Sequence, residues 1–479
     1  MGRILIRDAD VVITVNSKDE ILTRQSLVIE DDRIVKVGPV DEVARAYEGI
    51  AFDEVIEARG FLVMPGLVDA HVHLSEQLAR GVFPDDLSTR PWVFNWAKPL
   101  YAAMEPEDEY VAAMLAGIEM IKTGTTCCLD MGAQSDLGSV VRALERVGLR
   151  AITGRHAADR VPERLPAHWS SEMVARHFFP SAQAALEELE RCVRAYHNTA
   201  NGRIRVWVNI EGKEPCSPEL HAGARELAER LGVGTTYHIA SSIEEAIFTE
   251  RKYGKWPVSM LKEWGALGPN LVLAHVVAIR EEEIDYLADA GTKVAFCPGT
   301  SLKLAKGATR IGKYVEMMNA GITVALGCDG TSASGSLDMI RQMHLAACLF
   351  KDARMDATLV GARKALRMAT IEGARALMWD DEIGSVEPGK KADLILFNLH
   401  HPDWVPFWDP VQTLVYSVSC GSVDTVIIDG QIVMRNRRIL TVNEEEIFAL
   451  AREHALRVIA RANLPLGEGK VPLEAEVYI

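Results

Sequence analysis

Five side chains that can bind a metal follow short apolar runs in the sequence. His71 and His73 alternate at the end of LVMPGLVDAHVH, His238 ends TTYH, His275 ends LVLAH and Asp329 ends ITVALGCD. Because alternate residues of a strand point to the same side, the two imidazoles of His71 and His73 can share one ion. Neutral imidazoles and a carboxylate that leave one coordination position open are typical of a metal site that activates a water molecule.

Each of these residues taken singly could be satisfied by a local hydrogen bond. Separate strand ends that all carry ligand-type side chains favour a metal site instead. We expect a divalent ion, with zinc as the first choice, and the same ligand types also suit iron, manganese or cobalt. One metal is favoured over two.

The fold must bring the ends of several strands together. Helical spacing of apolar residues over 106–122 is followed by the apolar run TTCCLDM, and this unit recurs. Further strands are predicted at 150–154, 204–210, 234–239, 271–276, 293–297 and 322–328, with helices at 181–198 and 217–231. With the run that ends at His73, eight strands alternate with helices, which predicts an α/β fold of the (β/α)8 TIM-barrel type with its active site at the carboxyl ends of the strands. A doubly wound sheet is the alternative, but the sequence has no glycine-rich phosphate turn after the first strand.

The two ends of the chain have a sequence pattern that differs from that of the central region. Short runs rich in β-branched residues, broken by charged turns, occur over 3–60 and again over 390–440. They predict antiparallel strands that meet in one small β-sandwich domain built from both termini. We therefore expect the small domain at 1–62 and 383–440, the metal-dependent barrel at 63–382, and a C-terminal helix and tail at 441–479 that begins at the N-cap Asn443.

Composition excludes several functional classes. The 479 residues are 48% hydrophobic and 25% charged, as in soluble globular proteins, and 52 basic against 67 acidic residues give a net charge of −15. This balance argues against a broad affinity for nucleic acid or for an anionic membrane. No apolar run is long enough for a membrane span, the N-terminus does not read as a signal peptide, and the eight cysteines form no Cys-x-x-Cys pair, so we expect a cytoplasmic protein without disulfides.

Longer motifs resemble the metal-dependent amidohydrolase superfamily, in the branch of cytosine, guanine and S-adenosylhomocysteine deaminases and s-triazine hydrolases (chlorohydrolases). The matching stretches are PGLVDAHVHL (65–74), LAHVVAI (273–279), GCDGTSASGSLDM (327–339), RMATIEGARAL (367–377) and IGSVEPGKKADLIL (383–396). The resemblance implies that His71, His73 and His238 bind the metal and that Asp329 is the fourth ligand and proton shuttle. It implies that His275 hydrogen-bonds the attacking water or the polarised group of the substrate.

The sequence departs from that branch on strand five. Ring deaminases of the branch carry His-x-x-Glu there, and the glutamate protonates the ring nitrogen; here the text is His238-Ile239-Ala240-Ser241. An amide, urea or carbamate carbonyl does not need that acid, because the metal and His275 can polarise it while Asp329 delivers the proton. We therefore expect hydrolysis of a non-peptide carbon–nitrogen bond in a small organic substrate, as in the phenylurea and thiocarbamate hydrolases of the superfamily.

Two alternatives remain from the sequence. One is an aminohydrolase or dechlorinase of an N-heterocycle such as a purine, pyrimidine, pterin or s-triazine, with Glu211 or Glu244 as the acid. The other is a catalytically silent scaffold, which predicts lost metal ligands, whereas all the ligand positions are retained.

Superfamily members with two metals bridge them with a carboxylate or a carboxylated lysine on strand four, so Glu211 or Lys213 could bridge to a second ion held by His238 and His275.

Several residues are candidates for contact with a small-molecule substrate. The loop after strand one contains an aromatic cluster that includes Trp92 and Phe94 and could form an apolar wall. His156, Asn209 and Ser241 stand at or just after other strand ends, and Glu211 is the candidate catalytic carboxylate of strand four. The same aromatic cluster could instead pack against a neighbouring subunit, and the superfamily leads us to expect a homo-oligomer.

Overall fold

The computed structural model describes residues 2–162, 165 and 169–464. In chain order the strands are β1 (Arg3–Ile13), β2 (Ile21–Glu30), β3 (Arg33–Pro39), β4 (Glu54–Glu57), β5 (Phe61–Pro65), β6 (Leu67–Val72), β7 (Thr125–Asp130), β8 (Arg150–Thr153), β9 (Ile204–Val206), β10 (Val208–Gly212), β11 (Thr235–Ile239), β12 (Leu271–His275), β13 (Lys293–Phe296), β14 (Val324–Leu326), β15 (Leu394–Asn398), β16 (Val423–Ile428), β17 (Gln431–Arg435) and β18 (Arg438–Ile439).

Helices separate most of the central strands. They are α1 (Val40–Ala46), α2 (Thr89–Trp92), α3 (Lys98–Ala103), α4 (Pro106–Lys122), α5 (Leu137–Val147), α6 (Ser171–His177), α7 (Ala182–Tyr196), α8 (Pro218–Leu231), α9 (Ile243–Tyr253), α10 (Pro257–Glu263), α11 (Glu281–Ala290), α12 (Pro298–Lys303), α13 (Ala308–Ile311), α14 (Tyr314–Asn319), α15 (Thr331–Ser334), α16 (Met339–Arg354), α17 (Ala362–Met368), α18 (Ile371–Ala376), α19 (Pro410–Tyr416) and α20 (Glu444–Arg461). Short 3₁₀ turns (Leu74–Ala79, Ala200–Gly202, Pro402–Trp404, Cys420–Ser422) and a π-helical turn (Val93–Ala97) complete the helical segments of the described residues.

The central strands form the wall of a barrel. Parallel pairing runs β6-β7-β8-β9 on one side and β10-β11-β12-β13-β14 on the other. The fourth predicted strand is interrupted at the buried Trp207, whose N–H donates to the Thr153 carbonyl (2.9 Å) and keeps β10 next to β8. The ring closes where Asp329 N–H donates to the His71 carbonyl (2.8 Å). The fold is therefore of the TIM-barrel type.

Strands from the two ends of the chain share one sheet. Its order is β18-β17-β16-β15-β5-β1-β2-β3, with β4 paired to β1. The central strand β5 pairs in parallel with β1 and antiparallel with β15, so the two ends of the sequence meet there. That this sheet is a separate β-sandwich, with boundaries at 62, 382 and 440, stays a prediction.

A buried ion-pair cluster joins the sheet to the barrel. Arg150 on β8 donates to both carboxylate oxygens of Asp393 (2.7 and 3.0 Å) and to Asp429 (2.7 Å). Both aspartates lie beside strands of the terminal sheet, and all three side chains are buried or nearly so. A charge buried in this way is stable only with its partners, so the cluster fixes the sheet against the bottom of the barrel wall.

The last helix follows the sheet and packs back onto the barrel. Asn443 caps α20 as predicted, since its side chain accepts from Glu445 N–H (3.1 Å). The remainder of the predicted tail, from 465 onward, lies outside the described residues. Among the described helices, none is long and apolar enough to cross a membrane.

Candidate active site

The predicted ligand residues meet at the carboxyl ends of the barrel strands. His73 Nε2 lies 3.0 Å from His238 Nε2, and Asp329 Oδ1 lies 3.7 Å from His71 Nε2 and 3.6 Å from His73 Nε2. His275 Nε2 is 3.6 Å from Asp329 Oδ2 on the other side of that carboxylate. The structure thus brings together residues that are far apart in sequence, because parallel strands of a barrel all end at one face.

The donor set fits a divalent metal. Both ring nitrogens of His71 are buried without a hydrogen-bond partner among the described residues. Burial lowers the pKa of His73 to about 3 and holds the pKa of His238 well below its ordinary value, so these imidazoles are neutral and offer lone pairs. Burial alone would raise the pKa of Asp329, but the surrounding imidazoles hold it well below its usual range. Neutral nitrogens that crowd around an ionised carboxylate are the environment a cation requires.

Neighbouring groups fix the orientation of two of the imidazoles. The Nδ1 of His238 lies 2.5 Å from the Glu211 carbonyl oxygen, which accepts the Nδ1–H and leaves Nε2 free for a metal. His73 Nδ1 lies 3.4 Å from the Tyr101 hydroxyl and 3.8 Å from the buried Glu76 carboxyl. The Tyr101 hydroxyl also donates to Glu76. Backbone or carboxylate contacts of this kind hold metal-binding histidines in one tautomer.

Glu76 occupies space that a side chain at position 330 would fill. A Cβ built on Gly330 would lie 1.7 Å from Glu76 Oε2. Ser332 donates to the same carboxyl group, whose pKa is raised to about 8 by burial and by the nearby charge of Asp329. Because residue 330 is a glycine, the Glu76 carboxyl group can occupy this space next to His73.

The Nε2 atom of His275 is in contact with a lysine. Lys306 Nζ lies 3.2 Å from His275 Nε2, and both residues are buried. His275 has a φ of 73°, a left-handed conformation that non-glycine residues rarely adopt, and its carbonyl accepts from the Tyr314 hydroxyl (2.7 Å). Burial lowers the pKa of Lys306, whereas the charge of Asp329 acts in the opposite direction.

The strand-four carboxylate belongs to a buried ion-pair cluster. Lys98 Nζ contacts Glu211 Oε1, and His177 Nε2 lies 2.9 Å from Glu211 Oε2 and 3.1 Å from Lys98 Nζ. Burial lowers the pKa of Lys98, but contact with the Glu211 carboxylate favours its ammonium form, and we assign an ion pair. The second candidate bridge, Lys213, donates instead to Thr249 Oγ1 (2.8 Å). Both candidate bridging residues are thus engaged by protein partners, and whether either bridges two metals stays a prediction.

After strand five, residue 241 borders the pocket, and it is a serine, which has no carboxyl group. Ser241 lines the pocket, and its N–H donates to Glu245 Oε2 (2.7 Å). The other oxygen of Glu245 accepts from Ala240 N–H (3.0 Å). Both oxygens of this half-buried carboxyl group are thus engaged by the backbone that follows His238.

A mostly apolar pocket of about 180 Å³ opens above the metal ligands. Trp92, Phe94 and His156 line it as the sequence led us to expect, together with Phe248. His156 Nδ1 is paired with Gln134, while its Nε2 has no hydrogen-bond partner among the described residues. The pocket is large enough for a compact organic molecule and offers mainly contact with aromatic rings.

Asn209 is not part of this wall. Its side-chain amide donates to the carbonyls of Asp130 (3.0 Å) and Met131 (3.2 Å) inside the barrel, and it is not among the residues that line the pocket. The sequence pattern placed it on the same side of the strand as Glu211, but its side chain is fully buried inside the barrel. His168, another histidine of the insertion after strand three, lies outside the described residues.

Sequence reasoning missed three residues of the site: Glu76, Lys98 and Lys306. Glu76 carried a usable signal, because a glutamate three residues after His73 lies within one turn of it. Lys98 and Lys306 carried none, since each is a lysine in a loop or at a helix end, where solvent exposure is the usual outcome.

Comparison with known proteins identifies the family. A model of the amidohydrolase family matches residues 62–433. The chain belongs to this family. It is 35% identical over 460 residues to a 5-methylthioadenosine/S-adenosylhomocysteine deaminase of Acetivibrio thermocellus (95% of this chain, 99% of the relative) and 33% identical over 463 residues to a 5′-deoxyadenosine deaminase of Methanosarcina mazei (97% and 100%).

Solved structures of the family share the fold. An adenosine deaminase of Xanthomonas campestris with bound zinc is 28% identical, with a TM-score of 0.82 over 95% of this chain and 98% of that chain. A zinc-bound atrazine chlorohydrolase of Arthrobacter aurescens is similar in fold, at 24% identity and a TM-score of 0.83 over 94% and 100%. This amidohydrolase is therefore a metal-dependent hydrolase that acts on carbon–nitrogen bonds other than peptide bonds.

Proposed function

We propose that this amidohydrolase cleaves an amide, urea or carbamate carbon–nitrogen bond in a small, largely apolar substrate. The observation that carries the proposal lies at the end of strand five. Position 241 is serine, and the next carboxyl group, that of Glu245, accepts hydrogen bonds from two backbone N–H groups. A reaction at an aromatic ring carbon benefits from a positioned acid at the ring nitrogen, whereas carbonyl hydrolysis does not depend on one there.

The residues of the site suit carbonyl hydrolysis. A divalent metal held by His71, His73, His238 and Asp329 would supply Lewis acidity and lower the pKa of a water molecule from about 15.7 towards about 7. The ionised carboxylate of Asp329 can accept a proton from the attacking water and return it to the departing nitrogen. His275 lies 3.6 Å from that carboxylate and lines the same pocket.

The pocket supports the apolar part of the proposal. Trp92, Phe94 and Phe248 supply aromatic surface, and the cationic groups of Arg90 and Lys98 lie 4.9 and 5.5 Å from the ring centre of Phe94. Such a wall gains most from an aryl or alkyl substituent, because burial of apolar surface contributes about 25 cal/mol per Å². A substituent of that kind on the nitrogen or the carbonyl carbon is the expected substrate feature.

A second function, deamination of an adenosine-type nucleoside, is favoured by the names of the full-length relatives. The two relatives described above are named as deaminases of adenosine derivatives. For this chain to share that chemistry, a carboxyl group such as Glu244, Glu245 or Glu211 would have to protonate the ring. Glu211 is held by Lys98 and His177, which argues against its release for this role.

The two functions are separated by their products. Zinc-loaded enzyme is incubated with phenylureas, N-aryl carbamates and anilides, and amine release is measured by chromatography. Parallel reactions with adenosine, 5-methylthioadenosine and S-adenosylhomocysteine are followed by ammonia release. We expect amine from the carbonyl substrates; ammonia from the nucleosides at a comparable kcat/KM would overturn the proposal.

A matched pair of variants at position 241 sharpens the test. Ser241→Glu restores the missing acid, and Ser241→Gln has nearly the same shape without the carboxyl group. If the missing acid decides the reaction, Ser241→Glu gains nucleoside deamination that Ser241→Gln does not. Equal deamination by wild type and both variants would show that position 241 does not select the chemistry.

We also propose that the site holds one metal, with zinc as the ion. The support is that the strand-four carboxylate and His275, which a second ion would use, are engaged by Lys98 and Lys306. The metal content of the purified protein tests this: about one ion per chain is expected, and two tightly held ions would contradict it.

A further inference from the structure

Lys306 is a buried lysine at the metal end of the pocket. Its side chain lines the pocket together with His275 and Asp329, and its residue is 5% exposed. Among the described residues, the hydrogen-bond partner of Lys306 Nζ is His275 Nε2 (3.2 Å). A lysine amine has up to three N–H donors, so at least one donor is left for a molecule in the pocket.

The backbone around Lys306 is held in an unusual shape. Ala305 has a φ of 50° and Gly307 a φ of 87°, so two left-handed residues flank Lys306. Its N–H donates to the Ser301 carbonyl (2.9 Å), which ties the turn to α12. Left-handed backbone at a residue with a Cβ is strained and is found mainly where a site requires it. In this turn, the left-handed backbone directs the Lys306 side chain into the pocket instead of towards solvent.

Lys306 Nζ contacts the His275 nitrogen that a second metal would use and offers a donor there. An N–H that donates to His275 Nε2 occupies the lone pair that another ion would need. The same His275 Nε2 lies 3.6 Å from Oδ2 of the Asp329 carboxylate that we assign to proton transfer, so Lys306 Nζ and that carboxylate share one neighbour. A carbonyl group placed between Asp329 and the pocket wall has Lys306 as a neighbour.

We propose that Lys306 is a catalytic residue that donates a hydrogen bond to the carbonyl oxygen of the substrate as negative charge develops there. This inference rests on the proposed carbonyl hydrolysis. In that reaction the water oxygen adds to the carbonyl carbon, and its proton passes through Asp329 to the nitrogen. The carbon–nitrogen bond breaks, and an amine and a carboxylic or carbamic acid leave. Lys306 keeps its own protons throughout and holds the oxygen that carries the charge.

Three variants test the kinetic role. Lys306→Met removes the donor and keeps the length of the chain, Lys306→Arg keeps a donor, and Lys313→Met removes a lysine outside the pocket whose partner is Glu281 (3.4 Å). Removal of one donor to a developing oxyanion lowers kcat by about 10²- to 10³-fold. We expect that loss for Lys306→Met with KM changed by about threefold or less, partial recovery in Lys306→Arg, and wild-type kinetics in Lys313→Met.

Metal content separates catalysis from support of the site. If Lys306 acts on the substrate, Lys306→Met binds as much zinc per chain as wild type. Zinc lost in proportion to kcat would show that the lysine only maintains the metal site, and the proposal would be wrong.

A binding experiment tests the proposal without any turnover. Phenylphosphonate, an anionic tetrahedral molecule, and benzamide, a neutral planar one, are titrated into zinc-loaded protein by calorimetry. Lys306→Met should weaken phenylphosphonate at least tenfold and leave benzamide within about twofold. Equal losses for both probes, no loss for phenylphosphonate, or wild-type protein that does not bind phenylphosphonate would each overturn the role of Lys306. Absence of amine release from the carbonyl substrates, with the phenylphosphonate effect intact, would instead overturn the proposed function alone.

Discussion

Replacement of Lys98 by methionine tests whether the strand-four cluster holds the aromatic loop over the pocket. The Lys98 side chain is 1% exposed and that of Glu211 9%, so the variant leaves a carboxylate buried with His177 as its remaining close partner. Removal of one member of a buried ion pair costs about 3–5 kcal/mol, because the other charge keeps its desolvation penalty. Coulomb's law at an effective dielectric constant of about 20 gives about 4 kcal/mol for charges about 4 Å apart, which agrees with that range.

The control lies in the same loop. Arg90 pairs with Glu214 (2.6 Å), the third residue after Glu211, but their side chains are 50% and 26% exposed. An exposed pair of this kind contributes about 1 kcal/mol or less. Urea denaturation of Lys98→Met and Arg90→Met therefore compares a buried and an exposed link between the same two segments.

A double-variant cycle with Lys98→Met and Glu211→Gln completes the test. If the two residues form an ion pair, the double variant loses no more unfolding free energy than either single variant, since no unpaired charge remains. The coupling should be about 3 kcal/mol. Additive losses, or a Lys98→Met loss no larger than that of Arg90→Met, would refute the assignment of a buried ion pair.

Two further perturbations concern the rest of the fold. Arg150→Met should lower the unfolding free energy by about 3–5 kcal/mol in urea denaturation, because Asp393 is left buried without its bidentate partner; a loss below about 1 kcal/mol would contradict the role of this cluster as the junction of barrel and sheet. Burial raises the pKa of Glu109 to about 7. Between pH 4.5 and 7 the folded protein then binds a proton that the unfolded chain does not, so the unfolding free energy falls by up to about 3 kcal/mol as pH rises through this window. Glu109→Gln should flatten that part of the pH profile relative to wild type; parallel profiles would show that Glu109 does not titrate there.

The parts of the fold that depend on chain periodicity could be predicted from the sequence. Helix α4 spans Pro106–Lys122, as its apolar spacing indicated, and α8 spans Pro218–Leu231. Alternation placed His71 and His73 on one side of β6, and the convergence of strand ends in a barrel explains why His238 lies 3.0 Å from His73. These predictions needed local patterns and one topological rule.

Contacts between loops could not be predicted in the same way. Lys98 and Glu211 are 113 residues apart, and Lys98 and His177 are 79 apart. Each lies in a segment whose sequence is compatible with exposure, so nothing local indicates that the three side chains are buried together. Asn209 shows the limit of alternation: the period of two gave its side of the strand but not its depth in the barrel.

We expect a single metal held by His71, His73, His238 and Asp329, with Lys98 and Lys306 paired to the residues that a second ion would require. Anomalous diffraction from crystals of the zinc-loaded protein, recorded above and below the zinc edge, tests it directly. One peak within about 2.0–2.3 Å of those four ligands is expected. A second peak between Glu211 and His275, or a peak at other residues, would contradict the central claim.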